Sequence, residues 1–282
     1  MGRLFFYEEA VSIQALLTQH GLRPNKKLGQ HFLADQPLLE RELAYAELRP
    51  TDTVLELGPG LGNLTALLAA QASKVVAIER DRQFAACLGI LQQQHPHLEV
   101  LWGDAAEVDL PPFDKVVANL PYQVALPLIF KLLERRFERA VLMVQRDLAR
   151  RLTAKVGESG YGRLSIAVGR RAEVELLEEV PRQAFYPPPE VESALLRLTR
   201  TRPKFSVPDE EFFRAVLEAF FKNRQQPLAQ AAQAIREREL PPPLLAKTLA
   251  RLPEKLRRKP VCRITPTEFG EITWALWKGR SG

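Results

Sequence analysis

Two short segments of this 282-residue chain carry residues able to do chemistry. Asn119-Leu120-Pro121-Tyr122 closes the apolar run Val116-Val117-Ala118, and Glu56-Leu57-Gly58-Pro59-Gly60-Leu61-Gly62 is a glycine-rich turn upstream of it. The first offers hydrogen-bond acceptors beside an aromatic ring. The second is a turn tight enough for a cofactor to lie against bare backbone. Together they point to a methyl donor site next to a site for a flat exocyclic amine.

An adenine amino group is a poor nucleophile because its lone pair is delocalised into the ring. If the side-chain oxygen of Asn119 and the carbonyl of Leu120 or Pro121 accept its two N–H groups, the nitrogen can rehybridise and aim that lone pair at a methyl carbon. Pro121 fixes the turn, and Tyr122 supplies a ring on which a flipped base stacks, a contact worth about 1–3 kcal/mol. The bland alternative is a strand-terminating turn, with Asn and Pro present for backbone reasons.

A donor site needs more than glycines, since Gly58-Pro59-Gly60-Leu61-Gly62 lacks the usual dinucleotide spacing. Glu79 lies about twenty residues on, where a carboxylate at a strand end accepts from ribose hydroxyls. Asp104 then stands where an adenine amino group would arrive, with Ala105 alongside. Other readings stay open: Glu79 could pair with Arg80 or Arg82, and Asp104 could cap a helix. Gly58, Glu79, Asp104 and Asn119 all fall at the carboxyl ends of expected strands, the place where ligands gather in open α/β sheets.

Those strands are expected at residues 53–57, 75–79, 99–102, 115–119 and 140–144, as β-branched apolar runs alternating with stretches of helical period. Leu61, Leu64, Leu67 and Leu68 predict a helix fed by the glycine turn, its N-terminus towards the ligand. Phe185-Tyr186-Pro187-Pro188-Pro189 cannot be helix interior, and residues 191–198 read as one more strand. Beyond Pro208 the chain is helical by pattern: Phe212, Phe213, Val216, Leu217, Phe220 and Phe221 form a stripe, and Pro241-Pro242-Pro243 interrupts later helices. The expected architecture is α/β, a Rossmann-like methyltransferase sheet over residues 1–205 with a small helical docking domain over 206–282.

Lys plus Arg number 40 against 34 Asp plus Glu, a net charge of +6 that favours a polyanionic partner. Arg146, Arg150, Arg151 and Lys155 share a helix face, and Lys255, Arg257, Arg258 and Lys259 form a second cluster; each is either an RNA grip or a solvated face. Cys87 and Cys262 have no neighbouring cysteine, and His95-Pro96-His97 has no third ligand nearby, so no metal site is expected. Leu4-Phe5-Phe6-Tyr7 with Glu8-Glu9 is too short and acidic for a signal peptide. The expectation is a soluble cytoplasmic protein, monomeric for want of a dimer signal.

At these residues the chain resembles the ribosomal RNA adenine N6,N6-dimethyltransferase family, in its bacterial small-subunit, kasugamycin-sensitivity type. Lys27-Leu28-Gly29-Gln30-His31-Phe32-Leu33 is similar to the family's opening motif, with His31 in place of the more usual Asn. Residues 54–65, Glu79, Gly103-Asp104-Ala105, residues 119–122, Gln145-Arg146-Asp147, Tyr161-Gly162-Arg163-Leu164-Ser165 and residues 185–194 follow in family order. The resemblance implies S-adenosylmethionine as cofactor, held by His31, Leu33, Gly58, Gly60, Glu79, Asp104, Ala105 and Asn119. It implies four methyl transfers to two adjacent adenosines in the loop of the 3'-terminal helix of small-subunit rRNA, late in subunit assembly. It places Phe185 against the target base opposite Tyr122, where a core aromatic is the alternative, and makes Lys26, Lys27, Arg146 and Arg224 RNA contacts.

The sequence departs from the family at Phe221-Lys222-Asn223-Arg224-Gln225-Gln226-Pro227-Leu228, where relatives carry F-x-x-R-R-K-T-L; two positive charges are lost and a proline gained. Each lost phosphate contact weakens binding and lowers the salt slope by about one. Competing functions are the large-subunit adenine methylase of macrolide resistance and a non-catalytic assembly factor. A DNA adenine or protein glutamine methylase more usually has a second Pro at the Leu120 position.

Overall fold

The computed structural model describes residues 12–235 and 241–280; the segment read at residues 4–9 lies outside them. Two compact units divide the chain: Met1–Ala149 with Val174–Arg200, and Arg150–Glu173 with Thr201–Gly282.

The first unit is built on a seven-stranded sheet. In chain order its strands are β2 (Thr53–Leu57), β3 (Lys74–Glu79), β4 (Leu98–Trp102), β5 (Lys115–Asn119), β6 (Arg139–Gln145), β7 (Ala172–Val180) and β9 (Ser193–Arg200), while β1 (Phe32–Leu33) and β8 (Phe185–Tyr186) form a separate antiparallel ribbon. The order across the sheet is β4-β3-β2-β5-β6-β9-β7. Strands β2 to β6 run parallel, and β9 joins β6 antiparallel. Parallel strands covered on both faces must be apolar throughout, which is why Val54, Leu55, Val116, Val117 and Ala118 are all sealed from solvent.

The order reverses between β2 and β5, so their connections leave on opposite sides and a crevice opens beyond their carboxyl ends. Helices α1 (Ile13–Gln19), α2 (Gln36–Ala46), α3 (Asn63–Ala69), α4 (Ala85–Gln94) and α5 (Ala125–Leu133) belong to this unit, and α6 (Arg146–Thr153) runs from it into the second. Helix α2 starts where Asp35 accepts the Leu38 N–H at 3.0 Å, a cap reinforced by Pro37 in the first turn.

The second unit holds α7 (Arg163–Gly169), α8 (Glu210–Phe221), α9 (Leu228–Ala231), α10 (Pro242–Arg251), α11 (Glu254–Arg257) and α12 (Pro266–Gly279). Of the stripe predicted from Phe212 to Phe221, all but the partly buried Phe221 lie in its core, with Phe269 and Leu276 from α12. A reciprocal cap between Thr265 and Glu268 starts α12.

Two features differ from the expectation. Strand β7 was not foreseen: Ala172–Val180 carries Glu173, Glu175, Glu178 and Glu179 on an edge strand, so solvent rather than core sets most of its residue types. The expected cut between residues 205 and 206 is also not a single one, because residues 150–173 cluster with the C-terminal region. Tyr161 donates to the Ile264 carbonyl at 2.7 Å, and Arg224 donates to the carbonyls of Ser159 (2.5 Å) and Glu158 (3.0 Å).

Candidate active site

The glycine turn is held by its own backbone. Gly58 donates to the Ile78 carbonyl and Gly62 to the Pro59 carbonyl, each at 2.9 Å, and α3 begins one residue later. Gly58 and Gly62 have φ of +77° and +92°, which L side chains rarely adopt. Their surroundings differ. A Cβ on Gly62 would lie 2.3 Å from Leu91 Cδ1, so that glycine serves packing, whereas a Cβ on Gly58 meets nothing within 4 Å, so bare backbone faces the cleft.

Glu79, the last residue of β3, is buried, and burial raises its carboxyl above the usual range. It accepts the Gly60 N–H at 2.9 Å and the Asp81 N–H at 2.7 Å, stapling the glycine turn to the next strand end. Backbone amides, rather than the guanidinium of Arg80 or Arg82, thus hold this carboxylate. Asp104 closes a turn rather than capping a helix, and it is Asp104, not Glu79, that pairs with Arg80. Its Oδ1 accepts the Ala106 N–H at 2.9 Å, closing a turn, while Oδ2 pairs with Arg80 at 2.9 Å on the cleft wall.

At the end of β5 the polar groups are different in kind. Asn119 Oδ1 is buried and has no hydrogen-bond partner. An orphaned acceptor of this sort costs about 1–3 kcal/mol and is expected where a ligand completes it. The Leu120 N–H is taken by the Met143 carbonyl (3.1 Å), and the Pro121 carbonyl accepts the Val124 N–H (3.1 Å). Of the two carbonyls named from sequence, that of Leu120 is therefore the better acceptor for an incoming amine. Tyr122 is anchored through its hydroxyl to Ser193 Oγ at 2.5 Å.

His31 lies parallel to the Tyr122 ring, centroids 6.0 Å apart at 22°, and its Nδ1 is 2.7 Å from the Pro187 carbonyl. Facing a carbonyl, Nδ1 is the donor in that contact. The β1–β8 ribbon pairs Leu33 with Phe185, so the opening segment and the aromatic-proline segment share one wall. Phe185 is 5% exposed, belongs to the main core and also lines the cleft.

One cleft thus gathers His31, Leu33, Gly58, Gly60, Glu79, Asp104, Ala105, Asn119, Leu120, Pro121, Tyr122 and Phe185, with Lys27 on the same wall. The other cations lie elsewhere. Lys26 is exposed on the same one-turn helix as Lys27. Arg146 lines a shallow depression with Arg182 and Glu190 and pairs with Glu192. Arg224 is in the second unit, its guanidinium committed to the 158–159 loop. In the second basic cluster, Lys259 pairs with Glu268 and Arg258 with Glu254.

A family profile described as ribosomal RNA adenine dimethylase matches residues 21–241. The chain belongs to that family. It is accordingly an rRNA adenine dimethyltransferase on a Rossmann-like sheet. A Methanococcus maripaludis protein named as a probable ribosomal RNA small subunit methyltransferase A is 44% identical over 212 residues, covering 74% of this chain and 81% of the relative. A Thermococcus kodakarensis protein of the same name is 38% identical over 275 residues, 94% of each chain. Among solved structures, a Plasmodium falciparum dimethyladenosine transferase aligns with a TM-score of 0.75 at 28% identity, covering 88% of this chain and 98% of that one. The 23S rRNA methyltransferase ErmE aligns at 0.65 and 28%, covering 89% and 100%.

Several residues that support this dimethylase site escaped sequence reasoning. Gln30 reaches from the opening segment to Asp81 (2.8 Å), tying residues 25–31 to the end of β3. Lys131 on α5 donates to the Ala105 carbonyl at 3.0 Å, and to that of Val108, fixing the loop that presents Asp104. Ser193 holds Tyr122. Only Asp81 had a local signal, as a cap two residues before Gln83 (3.1 Å); the others depend on pairings 23 to 71 residues apart.

Proposed function

We propose that the chain transfers four methyl groups from S-adenosylmethionine to the N6 atoms of two adjacent adenosines in the 3'-terminal helix loop of small-subunit rRNA, on an assembling subunit. The observation that carries this reading is the buried, unpartnered Asn119 Oδ1 beside Tyr122, on the same cleft as the open backbone of Gly58 and the carboxylates of Glu79 and Asp104. The names of the relatives favour the small subunit.

The cleft fits the cofactor. Gly58 leaves open space against bare backbone, Glu79 and Asp104 retain lone pairs for ribose hydroxyls and an adenine amine, and Leu33 and Phe185 give an apolar wall. His31, Gly60 and Ala105 complete that binding set. When bound, S-adenosylmethionine supplies a methyl group made electrophilic by its sulfonium.

Asn119 Oδ1 and the Leu120 carbonyl accept the two N6 protons of the target adenosine and concentrate the nitrogen lone pair. The Tyr122 ring, fixed by Ser193, supports the flipped base, with Phe185 on the opposing wall. Orientation of this kind is worth up to about 7–11 kcal/mol. The aromatic walls exclude water from the transfer step, and solvent takes the released proton afterwards.

Lys27 on the cleft wall and Lys26 beside it on the same one-turn helix are assigned the nearest rRNA phosphates; Arg146 and Arg224 are assigned contacts further out, which require their internal partners to share them. The protein acts as a cytoplasmic monomer. The test is incubation with unmethylated small and large subunits and labelled S-adenosylmethionine, then mapping of the labelled base. Label on two adjacent small-subunit adenosines supports the proposal. Label confined to large-subunit rRNA overturns it in favour of the macrolide-resistance type, and binding of small subunits without transfer overturns it in favour of an assembly factor.

A further inference from the structure

Residues 27–33 form one wall of the cleft and touch both of its halves. The Phe32 ring lies against the glycine turn, so closely that a Cβ on Gly60 would be 2.9 Å from its Cε1. Gly29 lies beside Pro121, where a Cβ would be 3.8 Å from Pro121 Cβ, and His31 lies along Tyr122. A cofactor seated between the glycine turn and Asn119 is therefore bordered by this segment.

The two ends of the segment are held differently. Its downstream end is tied by backbone: Leu33 pairs with Phe185, and Ala34 donates to the Ala184 carbonyl at 2.7 Å. Upstream, backbone bonds close only on the segment itself, with Leu28 and Gln30 donating to the Asn25 carbonyl and Gly29 to that of Lys26. Among the described residues, the hydrogen bonds from residues 23–30 to the rest of the unit all end on the side chain of Asp81 or Gln83. Asp81 Oδ2 is the centre, accepting from Gln30 Nε2 at 2.8 Å and from Gln83 Nε2 at 2.6 Å. Gln30 Oε1 accepts the Asn25 N–H at 2.7 Å, so one side chain also closes the loop onto itself.

Asp81 is itself fixed. Its Oδ1 caps the short turn Arg82–Phe84 through the Gln83 N–H at 3.1 Å, and Phe84 is sealed in the core. The Asp81 N–H goes to Glu79 Oε1 at 2.7 Å. The residue that anchors the segment is thus the one that holds the carboxylate assigned to the ribose.

We propose that Asp81, with Gln30 and Gln83, is a latch that keeps residues 25–30 closed against bound cofactor and so sets the rate at which it leaves. The inference rests on the cofactor assignment made above. Asp81 and Gln83 do not line the cleft, so they act through Gln30 and are positioning residues.

The test compares Asp81→Asn with Gln30→Ala in the whole protein. Asn keeps an oxygen for the cap on Gln83 but puts an NH2 where the two glutamines need an acceptor. Gln30→Ala removes the latch from the other side and leaves the cap untouched. Release of S-adenosylmethionine is timed by stopped-flow displacement, and trypsin cleavage at the exposed Lys26 and Lys27 is followed by mass spectrometry. In the parent, bound cofactor should slow cleavage at these two sites. Each variant should lose most of that protection and release cofactor at least about ten-fold faster, the scale of one hydrogen bond to a charged group. KM for S-adenosylmethionine should rise while kcat moves by less than about three-fold. The double variant should release no faster than the faster single one, because both substitutions remove the same interaction.

Parent-like release in Asp81→Asn overturns the proposal; faster release in Gln30→Ala alone would make Gln30 a direct cofactor contact instead. Unchanged protection in both variants, or additive release in the double variant, also overturns it. Failure of the underlying assignment looks different. If calorimetry shows that the parent binds no S-adenosylmethionine, the cofactor assignment falls and the latch with it; if the parent binds it and Asp81→Asn releases it at the parent rate, only the latch falls.

Discussion

The two ends of the same parallel sheet bury polar groups to a similar depth and treat them in opposite ways. At the amino ends Asp52 and Lys115, with side chains 3% and 2% exposed, face each other at 2.9 Å. Arg49 adds its backbone N–H (2.7 Å) and guanidinium (3.1 Å) to Asp52, and Lys115 also donates to the Glu47 carbonyl. At the carboxyl ends Asn119 Oδ1, both oxygens of Glu42 and Oε2 of Glu56 have no partner. Burial pushes the Asp52 carboxyl up, yet its hydrogen bonds with Arg49 and Lys115 bring it below its ordinary value; burial pushes Glu42 and Glu56 up to about 8 with too little to oppose it. The satisfied end holds the fold, and the unsatisfied end is the one to which the proposed function assigns its ligands.

The contrast is broken most severely at the unsatisfied end. Asn119→Ala should lower kcat by about 10²–10³-fold, the scale for removing one preorganised hydrogen-bonding group. Binding of S-adenosylmethionine and small subunits should be retained, by calorimetry and sedimentation. Unchanged transfer would remove Asn119 from the chemistry.

At the satisfied end the expected loss is in stability. Lys115→Met leaves the Asp52 charge buried beside Arg49 alone and should cost about 3–5 kcal/mol. At about 2–4 °C per kcal/mol that lowers Tm by roughly 6–20 °C. Turnover well below the new Tm should match the parent, and a selective loss of kcat would show that the two ends are not separable.

Acid titration sharpens the comparison. Glu42 and Glu56 rise on folding from 4.5 to about 8, so between those values the folded chain keeps protons that the unfolded chain has released. Stability therefore falls as pH rises from about 4.5 to 8 and levels off above, with Glu79 shifted in the same direction. Asp52 has the opposite sign: its contribution is complete above its unfolded value of 3.8 and is lost as pH falls through its lower folded value. The double variant Glu42→Gln, Glu56→Gln should flatten the decline in melts at pH 5 to 9 and be the more stable protein at pH 8 by roughly 5–10 °C. Parallel curves would mean that the carboxyls are paired in solution.

The smallest effect is expected at the rim. Arg80 pairs with Asp104 at 2.9 Å with its side chain 60% exposed, so Arg80→Ala should change Tm by less than about 3 °C, an exposed pair being worth about 1 kcal/mol or less. KM for the cofactor should move by no more than about three-fold, as the same energy scale implies. A larger change would make Arg80 part of the binding set.

Much of this was readable before folding. Strands at residues 53–57 and 115–119 were placed to the residue, because parallel strands sealed on both faces leave unbroken β-branched runs. The glycine turn was readable because its positive φ values restrict which residues can stand there, and Asn119 to Tyr122 because a polar, proline and aromatic run closes an apolar strand. Strand β7 was hidden by its glutamates, and the assignment of residues 150–173 to the second unit depends on bonds such as Tyr161 to Ile264, 103 residues apart. Glu42 was the least readable, since a glutamate among Glu40 and Arg41 on a helix looks like part of a solvated face.

The amino-acid order by itself determined the element types, the strand ends and the identity of the groups offered to a ligand, since these follow from local pattern and side-chain chemistry. Only the tertiary structure decided which of those groups are satisfied. Asp52 is answered by Lys115 and Arg49, while Asn119 Oδ1 and the Glu42 carboxyl are buried without a hydrogen-bond partner. Whether a buried polar atom has a partner is settled by side chains distant in sequence, and no local pattern records it.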